Sequence, residues 1–221
     1  MESRMSLNRR SLSLALVASA FAAPAFAPPA FAQAGLSPAD RDLVDRAAAY
    51  LQNLTEAKAR FVQTDGRGRS VSGDVFLKRP GKARFAYDPP SGLLVVSDGG
   101  VVSVQDTRLK TFDRYPLSAT PLSVFLAKNI RLDKDVTVTR VARHADGFSI
   151  TARDGNKRTA GQITLNFREA PQLTLTGWTV TDAQNRQTRV QLQNLQRVSG
   201  LASSLFVLKD PRPKNVGRGK V

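Results

Sequence analysis

Between Asp74 and Arg79 the chain alternates, with Val75, Leu77 and Arg79 in one set of positions and Asp74, Phe76 and Lys78 in the other. A repeat of two is that of a β-strand, whose successive side chains leave opposite faces. Pro80-Gly81 breaks the ladder, Ala83 to Tyr87 reads as the returning strand, and Asp88-Pro89-Pro90 turns the chain again. The same period recurs where Ile163, Leu165 and Phe167 alternate with Thr164, Asn166 and Arg168, and through Val190 and Leu192 between Gln187 and Leu195. Asp-Gly steps at Asp65-Gly66, Asp98-Gly99, Asp146-Gly147 and Asp154-Gly155 have the chemistry of hairpin turns. One-sided strands joined by tight turns predict an antiparallel meander with one wet face and one covered face.

Two stretches have the means to cover it. Ser37-Pro38-Ala39-Asp40 is a helix start, with Ser37 as cap, proline in the first turn and Asp40 three residues after the cap. Leu43, Val44, Ala47, Tyr50, Leu51 and Leu54 then fall on one helical stripe. The second stretch is the apolar piece Pro121-Leu122-Ser123-Val124-Phe125-Leu126-Ala127, which interrupts the strands in mid-chain. The expected architecture is mainly β with some α: a curved antiparallel sheet with helices across its open mouth.

Residues 1–32 have the three parts of an export signal: a basic start at Arg4, Arg9 and Arg10, an apolar run from Leu12 to about Ala23, and Ala30-Phe31-Ala32 before Gln33 as the cleavage site. The apolar run is shorter than the roughly 20 residues of a membrane span, so a cleaved leader is expected. Arg9-Arg10 matches a twin-arginine signal only loosely, and the general secretory route is expected. Three domains of behaviour follow: a leader at 1–32, one folded domain at 33–208 and a basic Pro/Gly-rich tail at 209–221.

Charge and composition narrow the function. The net charge is +15, and +13 once the leader takes away three arginines and Glu2. Such a chain meets phosphate, in nucleic acid or on lipid headgroups. No basic helix or aromatic-bearing RNA-binding strand accompanies the charge, which argues against nucleic acid. Without cysteine there is no disulfide, thiolate chemistry or lipid-modified N-terminus. His144, the only histidine, stands beside Asp146-Gly147 as a turn residue, and no catalytic, phosphate-loop or metal-ligand spacing is present. The expectation is a binding protein without catalytic residues, metal or cofactor.

The strand ending in Lys78-Arg79-Pro80, the aromatic return strand at Phe85, the Val96-Ser97-Asp98-Gly99 turn, Thr120-Pro121 before a short apolar helix, and a Phe206 strand followed by Pro211 and Pro213 form an ordered set. In that order and spacing the chain resembles the LolA family of periplasmic lipoprotein carriers. The resemblance implies an incomplete (half) barrel under a helical lid, and a monomer that shields lipoprotein acyl chains in transit from inner to outer membrane. It implies acylated lipoproteins, an inner-membrane lipoprotein-releasing ABC transporter and an outer-membrane receptor as partners. It also implies an acyl-chain site formed by Val75, Leu77, Phe85, Leu94 and Val96 of the sheet, by Leu122, Phe125 and Leu126 of the lid, and by Leu43, Ala47 and Leu51 of the first helix. Arg79 is then a lid latch, bonding carbonyls near Leu122 to Leu126 in the closed state. Two other readings remain open: a sensor or scaffold that binds lipid or protein with the same half-barrel, and a basic binder of anionic surfaces.

Overall fold

The computed structural model describes residues 36–128, 136–154 and 161–212. The expected leader with its cleavage site, Gly155 and the tail from 213 onward lie outside the described residues. Helix α1 is Pro38–Asn53, and the Ser37 hydroxyl accepts the Asp40 amide at 3.1 Å while donating to the Asp40 carboxylate at 2.7 Å. Its expected stripe is its buried face: Leu43, Val44, Ala47 and Leu51 are buried, Leu54 follows the helix, and Tyr50 packs edge-on to Phe167.

Among the described residues eleven strands follow: β1 Glu56–Thr64, β2 Ser70–Lys78, β3 Lys82–Tyr87, β4 Leu93–Asp98, β5 Val101–Asp106, β6 Thr111–Pro116, β7 Val136–Arg143, β8 Gly147–Asp154, β9 Gly161–Arg168, β10 Thr174–Asp182 and β11 Gln187–Arg197. Between β6 and β7 lie a 3-10 turn at Leu117–Ala119 and the short helix α2, Leu122–Leu126. All strands join one antiparallel sheet in the order β6-β5-β4-β3-β2-β1-β11-β10-β9-β8-β7. The first strand lies mid-sheet and the two ends, β6 and β7, are not paired to each other, so the sheet is an incomplete barrel. Register breaks against β11 at Lys58/Arg60, in β7 at Val138/Arg140 and in β10 at Leu175/Gly177 bend it. Gly177 makes the last bend possible: at φ 153°, a Cβ there would stand 2.1 Å from the Val190 carbonyl oxygen.

The sheet has two covered surfaces. On the concave face Phe61, Val75, Leu77, Ile150, Ile163 and Leu165 are fully buried under α1 and α2. On the other face the chain after β11 crosses the β2–β4 region. There Lys78 donates to the Leu201 carbonyl at 2.6 Å, the Leu201 amide donates to Glu56 at 2.7 Å, and Arg84 donates to the Leu205 carbonyl at 3.1 Å. The expected Phe206 strand is instead one 3-10 turn, Ser203–Phe206, whose Phe206 side chain is 1% exposed. It packs against the sheet face rather than its edge, so no ladder is open to it.

Candidate functional site

Strand register decides which predicted residues meet. Val75 stands opposite Phe85, and Phe85 opposite Val95. Cross-strand partners share a face, so all three point to the concave side with Leu77. Leu94 and Val96 pair with Ala86 and Arg84 and share their side, the outer one. Both were expected in the acyl-chain site. The structure places them on the opposite face, where Val96 is buried near the C-terminal turn. One residue of offset inverts the assignment of a whole strand.

The concave face is aromatic at its centre. Phe61 packs edge-on to Phe85 at 5.6 Å and to Tyr87 at 5.0 Å, and Phe85 packs edge-on to Trp178 at 6.0 Å. Phe61 has room because position 73, opposite it on β2, is glycine: a Cβ there would meet the Phe61 ring at 2.8 Å. From α2, Phe125 stacks on Trp178 at 5.5 Å with 28° between the planes, and Phe125 and Leu126 are each 1% exposed. The apolar concavity expected beneath the helices is thus filled by the side chains of α2 themselves. An unfilled apolar hollow loses its dispersion contacts, so the closed lid is the packed state. Trp178 was not among the sequence-predicted site residues. Its signal was present in the alternation of Trp178 and Val180 with Thr179 and Thr181, the two apolar positions facing the core.

Arg79 leaves β2 at this place. Its guanidinium donates to the Leu51 carbonyl of α1 and, at 2.6 Å, to the Ala127 carbonyl that follows α2. The expected acceptors are carbonyls near Leu122 to Leu126; Ala127 adjoins that stretch, and the Leu51 carbonyl of α1 is an addition to it. The observed ones are Ala127, one residue beyond α2, and Leu51 in the last turn of α1, whose carbonyl also accepts the Leu54 amide at 3.1 Å and where the helix dipole favours a cation. Among the described residues no carboxylate pairs with Arg79, and its Nε is buried without a partner. Burial alone pushes its pKa down to about 10, which still leaves it protonated at neutral pH. The end of α2 is tied twice more: the Gly81 amide donates to the Leu126 carbonyl at 2.8 Å, and Gln52 donates to the Lys128 carbonyl at 3.1 Å. Beside these ties Pro80, Gly81, Leu117, Leu126 and Ala127 border a hollow of about 580 Å³.

The Arg60 and His144 clusters are surface features. Arg60 bridges Asp88 and Asp74, and Asp88 also accepts from Ser72 at 2.7 Å. The Arg60 and Ser72 hydrogen bonds hold the Asp88 carboxyl down to about 2. Exposed His144 meets Ser149 at 3.1 Å. Among the described residues, no three of the acidic, histidine or cysteine side chains gather to hold a metal ion, and no helix is long and apolar enough to cross a membrane.

The family described as "Outer membrane lipoprotein carrier protein LolA" matches residues 52–209. An outer-membrane lipoprotein carrier protein of Methylobacillus flagellatus is 28% identical over 188 residues, covering 79% of this chain and 88% of that protein. One of Coxiella burnetii is 26% identical over 188 residues, covering 80% and 88%. Among solved structures, a LolA superfamily protein of Nitrosomonas europaea is 11% identical with a TM-score of 0.41, covering 73% of this chain and 97% of that one.

Proposed function

The chain belongs to the LolA family of outer membrane lipoprotein carrier proteins, and from that premise we propose that it carries acylated lipoproteins across the periplasm from inner to outer membrane. The observation that carries the proposal is the Arg79 guanidinium holding the ends of both helices over an aromatic-centred concave face. Acyl chains enter that face by displacing Phe125 and Leu126 from Trp178 and the sheet, which breaks the Arg79 bonds. Burying a methylene yields about 0.8 kcal/mol, so an always-open apolar trough would hold a lipoprotein too tightly to pass it on. A lid whose closure competes with cargo lowers that affinity and makes release possible.

In this reading residues 1–32 are removed on export by the general secretory route, and residues 33–208 form the carrier domain. Cargo is received from a lipoprotein-releasing ABC transporter and given to an outer-membrane receptor. Membership of a carrier family supports a binding role without catalysis. The test is mass spectrometry of molecules that co-purify with the exported protein from cells making tagged lipoproteins. Acylated lipoproteins are expected in wild type and diminished in Phe125→Asp, which puts a charge into the lid. Exported protein free of lipoprotein, or carrying it equally in both forms, would overturn the carrier reading.

A further inference from the structure

Antiparallel order puts the β1–β2, β3–β4, β5–β6 and β10–β11 turns at one end of the sheet, and Arg79 at the other. At the turn end the acids are already engaged. Asp65 pairs with Arg69 and Asp182 with Arg186, each at 2.7 Å, and Asp88 takes Arg60. Asp106 accepts the amides of Arg108 at 2.8 Å and Leu109 at 2.9 Å. The cations are differently placed: Arg67, Arg108 and Lys110 are exposed and no carboxylate pairs with them among the described residues, while the side chains of Arg69 and Arg186 are each 75% exposed.

Between two of those cations, at the tip of the β5–β6 turn, stands Leu109. At 71% it is, among the described residues, more exposed than the other exposed large hydrophobic residues, Val207, Tyr115 and Val71. Its turn is held in shape. Besides the Asp106 bonds, the Thr107 amide and hydroxyl both donate to the Gly92 carbonyl, at 3.0 and 3.2 Å. Lys110 takes the left-handed conformation at φ 55°, where glycine is the residue of least strain; the chain keeps a charge there instead. A fixed tip of one leucine between two cations, with Arg67 exposed on the neighbouring β1–β2 turn, has the chemistry that fits a surface anionic outside and apolar just beneath.

We propose that this end of the sheet, led by Leu109 between Arg108 and Lys110, docks the protein onto an anionic phospholipid bilayer. The leucine enters the acyl boundary while the flanking cations stay among the headgroup phosphates. The proposal goes beyond the carrier reading, since it concerns where the protein stands when cargo changes hands and does not need acyl chains inside it. A soluble acidic partner would satisfy the cations but would leave the leucine in water, and it is therefore disfavoured.

The test is co-sedimentation of the exported protein with vesicles of phosphatidylglycerol and phosphatidylethanolamine, and with phosphatidylcholine vesicles. Partition is expected to be strong on the anionic vesicles, weaker at high salt and low on phosphatidylcholine. Leu109→Asp and the pair Arg108→Glu with Lys110→Glu should each lower it by roughly tenfold or more. The pair Arg140→Glu with Arg168→Glu, an equal charge change away from this end, should lower it much less. Leu109→Trp should retain partition and show a blue-shifted emission only with anionic vesicles. No partition by wild type, or equal partition by Leu109→Asp, overturns the proposal. Uptake of a fluorescent fatty-acid analogue, measured on the same samples, separates the two readings: vesicle docking lost with uptake intact overturns docking alone, and the reverse overturns the carrier reading alone.

Discussion

A guanidinium that reaches two helix ends without a carboxylate is held by carbonyl dipoles, and its bonds exist only while both helices are in place. Arg79→Leu removes the donors and keeps an apolar stem, so closure weakens and the open state gains population. Charge-assisted hydrogen bonds of about 1.5–3 kcal/mol correspond to roughly one to two decades in that equilibrium. Lipoprotein is then expected to load normally or more tightly and to pass to an acceptor about ten-fold or more slowly, read in a transfer assay between purified proteins. Arg79→Lys should restore little, because one ammonium does not span both carbonyls as the planar fork does. Arg84→Leu is the control, since Arg84 bonds the Leu205 carbonyl on the opposite face, and its transfer should match wild type. Asp88 gives a second test. Its carboxyl is held at about 2 by Arg60 and Ser72, so whatever the cluster contributes is present above the ordinary carboxylate range and is lost as pH falls toward 2. Side-chain NMR should show an Asp88 midpoint near 2, rising toward the usual carboxylate value in Arg60→Gln.

At the scale of elements, α1 is the half of the cover fixed by its own chemistry, and α2 is the half fixed by its neighbours. The Ser37–Asp40 cap is local, and Ser37→Ala should cost about 1 kcal/mol in denaturant unfolding without altering acyl-probe binding. α2 has five residues and no side-chain cap, too short to persist alone, so Phe125 on Trp178 and the ties to Arg79 and Gly81 hold it. This contrast marks what could be read in the sequence. The α1 stripe, the Asp-Gly turns at 65, 98 and 146, and the alternation around Val75 are local patterns, and each is found in the fold. The pairing partner of a strand is not local: Leu94 and Val96 look as apolar as Val95, and only the register against Phe85 turns them outward. The second acceptor of Arg79, the Leu51 carbonyl, is likewise set by where two distant helix ends meet, and the Phe206 segment reads as a strand because burial on a sheet face leaves the same apolar mark as a place in a ladder.

The whole molecule uses the two faces of one sheet differently. Over β2–β4 the outer face is covered by a segment bonded through Glu56, Lys78 and Arg84, and nothing in the proposed carrier cycle requires it to move. The concave face is sealed by α2, which under the proposed function cargo displaces. Phe206 and Phe125, each 1% exposed, sit under these two covers and make a matched pair. Truncating either to alanine should cost about 3–5 kcal/mol, lowering the melting temperature by roughly 6–20 °C for a domain of this size. Their effects on binding should then part. Phe206→Ala destabilises the fold without favouring an open lid, so a fatty-acid analogue should bind it as it binds wild type at temperatures where it remains folded. Phe125→Ala removes the ring that fills the concave face and stacks on Trp178, so closure weakens, space appears beneath the lid, and the same analogue should bind about ten-fold or more tightly. Trp178 emission should report probe entry in both variants, because its ring lines that space. If both variants bind alike, burial under α2 has no special link to cargo, and the concave face is a structural core rather than a site.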